Sequence, residues 1–260
     1  MSANLRANSK IPTPLLRRTY VAYTAVQWST MRLSIIIPVL DEGERIAPVL
    51  ESLAETRERG TELVVVDGGS RDATIQRARL RSDIVLSAPR GLASQLNAGA
   101  AKATGDVILF LQAGMQLPPH SDLLILDGLE RTGRHWGFFN VKLTGQALFL
   151  PIATGLINMQ SWITGITAGE QAVFAKRNFF RSAGGFAAIS EMEHVALCKS
   201  LKRIGRPLRL SERVATPAGK WETQGIRQTF QERSRRRFGF SLPGNPDAPT
   251  KSVAGAVQKD

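Results

Sequence analysis

The chain of 260 residues carries 34 lysines and arginines against 22 aspartates and glutamates, a formal net charge of +12, and 43% of its residues are hydrophobic. That length and apolar content suffice for one large α/β domain or two small ones with a substantial core, while the single cysteine, Cys198, excludes a disulfide framework and a cysteine metal cluster and suits a reducing cytosol. The positive excess calls for an anionic partner, for which nucleotide phosphates, acidic lipid headgroups and nucleic acid all qualify.

The opening stretch, MSANLRANSKIPTPLLRRTYVAYTAVQWSTMRLS, is basic but has no compact apolar segment ending in a small-residue cleavage site, so it does not read as a secretory signal. Met31 directly precedes the first strong strand. Residues 1–31 are therefore either an over-long start or a basic, partly amphipathic arm that touches a membrane. Residues 32–240 read as the folded domain, and 241–260, with its Pro, Gly, Ala and isolated charges, as a disordered tail.

Within the domain, LSIIIPV (33–39) is a continuous β-branched run, as expected of a strand buried on both faces of a parallel sheet. Ile46, Val49, Leu50 and Leu53 follow at helical spacing, and Asp41 with Glu44 resembles a capping box, which predicts a helix starting near Asp41. ELVVVD (62–67) is a second strand ending in the turn-rich GGSRDAT before another helix. DIVLSA, GLASQLNAGAAKATG and DVILFLQ then give strand, helix and strand. From about Gly137 the pattern is less regular: a strand FFNVKL, a helix through Ile157, a strand QAVFAKR, and a helix EMEHVALCKSLKRIG whose apolar face includes Val195, Leu197, Leu201 and Ile204. A last helix, GIRQTFQERSRRRFG, has a strongly basic end.

This alternation predicts an α/β doubly wound, mainly parallel sheet with helices on both faces. Ligands of such sheets bind beyond the carboxyl ends of the strands, here Pro38 to Glu42, Asp67 to Asp72, Ala88 to Gly91 and Gln112 to Met115. No run of about eighteen apolar residues exists that would span a bilayer. Leu148 to Ile166, interrupted by Pro151, Gly155, Asn158, Gln160 and Gly165, reads as a core or interfacial helix.

The segments SIIIPVLDEGERI, VVVDGGSRDAT, RGLASQLNAGAAKATGDVILFLQAG, GEQAVFAKR, GGFAAISEMEHVALCKSLKRIGR and KWETQG resemble, in order and spacing, family 2 glycosyltransferases of GT-A fold, with an acceptor-side α+β extension. Within that family the chain is similar to a small bacterial subgroup of carotenoid type, and the likeness covers roughly Met31 to Phe238. Each motif is weak alone; several in register are strong. The resemblance implies a nucleotide-sugar donor, with Pro38, Asp41 and Glu42 beside the ribose or base, Asp67 accepting from uracil, Ser70 on the same turn, and Asn97 with Gln95 near the diphosphate. Helix capping and turn formation are the competing roles of Asp41 and Asp67, and helix-surface polarity that of Asn97. In PRGLA, Leu92 stands where the family often has arginine, and Arg90 is a candidate to carry that charge. GEQ places Glu170 and Gln171 on the acceptor side with Trp221.

Two departures bear on catalysis. Where the family has a metal-binding carboxylate pair at the exit of the fourth strand, FLQAGM offers Gln112, with a neutral carbonyl, and Gly114, with no side chain, so no metal ligand is assigned and Mg²⁺ or Mn²⁺ in the usual mode is doubtful. Where the family has MEDVEL, this chain has MEHVAL: His194 replaces the catalytic aspartate and Ala196 the second glutamate, while Glu193 is kept and is a catalytic candidate, as base itself or orienting the imidazole, with a solvated helix face as its other reading. An imidazole titrating near neutrality suits a general base; drift at a site without catalytic demand is the other reading. Fixed cations such as Arg71, Arg90, Lys220 or the cluster Arg233 to Arg237 can neutralise a leaving diphosphate without metal.

Three hypotheses follow. The first is an inverting glycosyltransferase that moves a sugar from a nucleotide-sugar, with UDP as the expected nucleotide, to a hydroxyl or carboxyl acceptor of lipid character, with metal dependence reduced or absent, peripheral to the inner face of the cell membrane. The second is a catalytically impaired GT-A-like protein that binds nucleotide or a partner. The third, a nucleotidyltransferase, lacks its Gly-rich basic loop in PVLDEGERI. No nucleic acid is expected, since interleaved aromatics are absent from the basic stretches.

Overall fold

The computed structural model describes residues 30–167, 169–188, 193–219 and 222. The N-terminal stretch, the last basic helix, Trp221, Lys220, Arg233 to Arg237 and the C-terminal tail lie outside the described residues.

A seven-stranded sheet of order β3-β2-β1-β4-β6-β5-β7 forms the frame. Strand β1 (Leu33–Val39) is flanked by β2 (Glu62–Asp67) and β4 (Val107–Phe110), and β3 (Ile84–Ser87) lies beyond β2, all four parallel. Strand β6 (Val173–Lys176) inserts antiparallel between β4 and β5 (Trp136–Thr144), and β7 (Leu208–Pro217) closes the far edge parallel to β5. The sheet is thus mixed and mostly parallel, as the alternating pattern implied.

Every residue of β1 is buried, because helices cover both faces. On one face Ile35, Ile37, Val39, Leu63, Val65 and Leu109 meet α1 (Gly43–Ser52) and α5 (Ser121–Thr132) through Ile46, Val49, Leu50, Ile125 and Leu129. On the other, Ile36, Val64, Val66, Ile108 and Phe110 meet α4 (Leu92–Lys102) and α8 (Glu193–Ile204) through Leu96, Ala100, Leu197 and Leu201. A smaller cluster of Val141, Leu143, Leu150, Ala153 and Ile157 seats α6 (Leu150–Thr164) on β5. The short helices α2 (Ala54–Glu58), α3 (Thr74–Arg79) and α7 (Arg177–Ser182) fill the connections. Arg59, just after α2, grips Asp122 at the start of α5 with two 2.8 Å bonds, and this hydrogen-bonded pairing holds the guanidinium above its ordinary pKa.

Several expectations are corrected. Strand β7 and helix α5 were absent from the pattern reading, although the intermediate-exposed alternation of the first six residues of β7, Leu208 to Arg213, has the period of a half-buried strand. Ile204 is 45% exposed at the end of α8 rather than part of its apolar face. Asp41 does not cap α1: the helix starts at Gly43, and no side chain at its N-cap residue, Glu42, closes a box.

Gly99 fixes how closely α4 lies on the sheet. A Cβ there would sit 2.4 Å from Ile36 Cγ2 and 2.9 Å from Val66 Cγ2. Gly99→Ala is expected to cost about 1–3 kcal/mol through overpacking, read as a lower denaturant midpoint; an unchanged midpoint would contradict this account of the helix position.

Candidate functional site

The carboxyl ends of β1 and β2 are sewn into one unit by their loops. Gly68 N–H donates to the Val39 carbonyl at 2.9 Å, Asp41 N–H to Ser70 Oγ at 2.9 Å, and Arg71 N–H to Asp41 Oδ1 at 2.8 Å. The first free N–H groups of α1 find acceptors in the second loop: Glu42 N–H reaches Thr74 Oγ1 and Gly43 N–H reaches Asp72 Oδ2, each at 2.9 Å. The Thr74 hydroxyl in turn donates to Asp72, which holds that carboxyl below the usual carboxylate range. Helix α1 is therefore capped across the chain, which explains why the local box is not needed.

Asp67, 2% exposed, accepts from Gly69 N–H at 2.9 Å and from the backbone and hydroxyl of Ser70. Its carboxylate shapes the turn. Asp41 is exposed and Glu42 half-buried on the same rim, whereas Pro38 is enclosed within β1. Asp41, Glu42, Asp67 and Ser70 thus come together; Pro38 holds the strand and does not face out.

The QLNAG stretch has a structural task that sequence reasoning missed. Gln95, 5% exposed, donates from Nε2 to both the Val39 and Val66 carbonyls at 2.9 Å, bridging the two strand ends. Asn97 clamps Phe186 from both sides, donating to its carbonyl at 2.8 Å and accepting its N–H at 2.9 Å. Both ends of the Asn97 amide are thus engaged by the Phe186 backbone. Phe186 packs edge-on against Phe110 and against His194, with ring centroids 4.7 and 5.1 Å away.

A second convergence surrounds Gly169, in a 3₁₀ turn of Gly169–Gln171. A Cβ on Gly169 would meet Gln112 Nε2 at 2.3 Å and His194 Nε2 at 3.0 Å, so only a glycine lets the β4 exit and the start of α8 close over this turn. Beyond Gln112 the chain makes a tight turn, with Met115 N–H donating to the Gln112 carbonyl at 3.1 Å and Gly114 at φ +92°. The nearest side chains to a Cβ at Gly114 would be Arg45 Cδ and Pro217 Cγ, both at 3.7 Å. Arg45 also pairs with Glu42 at 3.1 Å and carries no signal in the sequence, because its placement depends on that turn. Gln171 departs from expectation: it is 1% exposed and donates to the Phe139 carbonyl at 3.2 Å and to Ser161 Oγ at 2.9 Å, pinning β5 to α6 rather than lining a cleft. Arg90 is exposed before α4, and Glu193 is buried in the first turn of α8.

Residues 34–146 match the family model described as glycosyl transferase family 2. This segment is thus similar to family 2 glycosyltransferases. Undecaprenyl-phosphate 4-deoxy-4-formamido-L-arabinose transferase of Pseudomonas syringae pv. syringae (strain B728a) is 35% identical over 98 residues, 34% of this chain and 29% of that protein. Dolichol-phosphate mannosyltransferase of Mycosarcoma maydis is 30% identical over 117 residues, 38% of this chain and 40% of that protein. The matches therefore span less than half the length of these relatives. By fold the chain is similar to S. aureus TarS in complex with UDP-GlcNAc (TM-score 0.59, 16% identity, 72% of this chain and 58% of that one). It is also similar to the Pyrobaculum calidifontis mannosyltransferase PcManGT in complex with GDP-Man and Mn²⁺ (TM-score 0.56, 20% identity, 79% and 64%).

The β4 exit does not suit a divalent cation. Gln112 presents a neutral amide turned towards Gly169, Gly114 presents nothing, and among the described residues no cluster of three or more His, Cys, Asp or Glu forms. His194 is 6% exposed, and no hydrogen bond reaches either ring nitrogen from the described residues. Burial pushes its pKa down to about 4, with the Glu170 carboxylate pulling weakly the other way. This corrects the expected near-neutral base: at pH 7 the imidazole is neutral and a weak proton acceptor.

His194 binds a proton below an ordinary pKa of 6.5 when unfolded but only near 4 when folded, so stability is full above pH 6.5 and falls as pH drops towards 4, by roughly 3 kcal/mol in total. Melting curves of wild type and His194→Gln across that range are expected to show a shallower acid loss in the variant; equal slopes would contradict the buried neutral imidazole.

Proposed function

We propose that this protein transfers a sugar from a nucleotide-sugar, with UDP as the nucleotide, onto the phosphate of a polyprenyl-type lipid. The relatives named for undecaprenyl-phosphate and dolichol-phosphate support the acceptor class, and the neighbours in complex with UDP-GlcNAc and GDP-Man support the donor class. The observation that carries the reading is the burial of His194, with neither ring nitrogen hydrogen-bonded by the described residues, where the resemblance leads one to expect a carboxylate base. A hydroxyl acceptor needs a base. A phosphate monoester, with a second pKa near 6, reaches the site already ionised. Its oxygen attacks the anomeric carbon, the bond from that carbon to the donor's diphosphate breaks, and the nucleoside diphosphate leaves with no proton changing hands.

Charge developing on the diphosphate then needs fixed cations. Arg45, beside Gly114, is best placed, with Arg71 and Arg90 on the neighbouring loops. Asp41, Glu42 and the turn formed by Asp67 and Ser70 are assigned to the nucleoside, His194 to a hydrogen bond with the bound sugar or phosphate, and Glu170, with Trp221, to the acceptor side.

The second reading, nucleotide or partner binding without turnover, is favoured by the loss of both carboxylate motifs. Labelled UDP-sugars incubated with polyprenyl phosphate in EDTA separate the two. Lipid-linked product in EDTA, with kcat/KM lowered about tenfold or more in Arg45→Gln, supports transfer without metal. Donor binding without product across a sugar panel supports the second reading, and no nucleotide affinity at all sinks the transferase.

A further inference from the structure

Helix α6, Leu150–Thr164, has no charged residue in fifteen. Its inner face is closed by Leu150, Ala153, Thr154, Ile157 and Ser161. Its outer face is also apolar: Ile152 is 64% exposed, Met159 54%, Trp162 63% and Ile163 67%, and Leu148 just before the helix is 96% exposed. These positions, with half-buried Leu156, recur at intervals of three and four, so they form one stripe along the helix rather than scattered exposures. At about 1.5 Å per residue the helix is near 22 Å long, short of a hydrocarbon core of roughly 30 Å. Among the described residues no helix is long and apolar enough to cross a membrane.

The end of the stripe is basic. The Arg209 guanidinium lies over the Trp162 ring, 5.4 Å from its centroid, and Lys202 Nζ donates to the Thr164 carbonyl at 2.6 Å. Both belong to the segment KRIGRPLR, 202–209, in which Lys202, Arg203, Arg206 and Arg209 are exposed alongside Ile204. The Trp136 indole anchors that segment, donating to the Gly205 carbonyl at 2.8 Å.

We propose that α6 and the 202–209 segment form a membrane-docking surface that lies on an anionic lipid bilayer, apolar stripe in the acyl boundary and cations at the headgroups. An uncharged stripe beside exposed cations, with an Arg-capped Trp at their junction, matches the layered chemistry of that interface. The purpose of the surface rests on the lipid-phosphate reading of the acceptor. Ser161, on the inner face of α6, accepts from Gln171 at 2.9 Å, and Gln171 adjoins Glu170 and Gly169 against His194, so the docked helix is one side chain from the candidate site.

Vesicle sedimentation without any donor tests the surface independently of activity. Wild type is expected to bind phosphatidylglycerol-containing vesicles, more weakly at high salt, and to bind pure phosphatidylcholine poorly. Ile152→Glu with Ile163→Glu is expected to lower the partition coefficient by about tenfold or more, and Arg209→Gln to reduce the preference for anionic lipid. Circular dichroism confirms that each variant is folded. Transfer to a detergent-dispersed short-chain prenyl phosphate is expected to survive in the Glu variant while transfer to vesicle-embedded acceptor falls. Failure of wild type to bind vesicles overturns the proposal, as does a wild-type dimer that the Glu variant dissociates without any vesicle binding by either. Vesicle binding with no transfer to any acceptor leaves the surface standing and refutes the transferase reading instead.

Discussion

The amide of Gln95 holds the site together. Its two hydrogen bonds to the Val39 and Val66 carbonyls fix the separation of β1 and β2 where the strands end, in a buried setting where an unmet carbonyl is costly. The loops that leave those strands are then joined by Asp41, Ser70, Asp72 and Thr74, so the rim beyond β1 and β2 is a knot in which the carboxylates position backbone. Gly99 in the same helix allows the close approach that brings Gln95 to the strand ends.

Two residues along α4, Asn97 extends the same frame towards α8. It holds Phe186, which packs on Phe110 at the end of β4 and on His194. The aromatic contact and the bare backbone of Gly169 bury the imidazole, and burial sets its neutrality. The two departures from the family pattern are therefore physically coupled: Gln112 and His194 meet over one glycine, and both are uncharged at neutral pH where carboxylates are expected. In the proposed transfer such a site takes an acceptor that brings its own negative charge, and arginines neutralise the leaving group.

Most of the frame was legible in the sequence because it depends on local period: the buried run of β1, the Ile46, Val49, Leu50 face of α1 and the strand–helix alternation all follow from residue type. What was not legible depends on partners distant in the chain. Capping of α1 by Asp72 and Thr74, the inward turn of Gln171, and the placement of Arg45 beside Gly114 each join elements separated by tens of residues. The pKa of His194 was misjudged for the same reason, since a histidine at the start of a helix gives no sign of how deeply Phe186 and Gly169 will cover it.

The central claim is that transfer proceeds onto an ionised acceptor without a protein base. Its most direct test is the pH dependence of kcat/KM with polyprenyl phosphate in wild type and His194→Gln. The account predicts that both rise with an apparent pKa near 6, that of the acceptor phosphate, and that the variant keeps the shape of the profile with at most a modest loss of rate. A profile that loses this limb in His194→Gln, or a loss of several orders of magnitude in a folded variant, would show that the imidazole is the base and contradict the account.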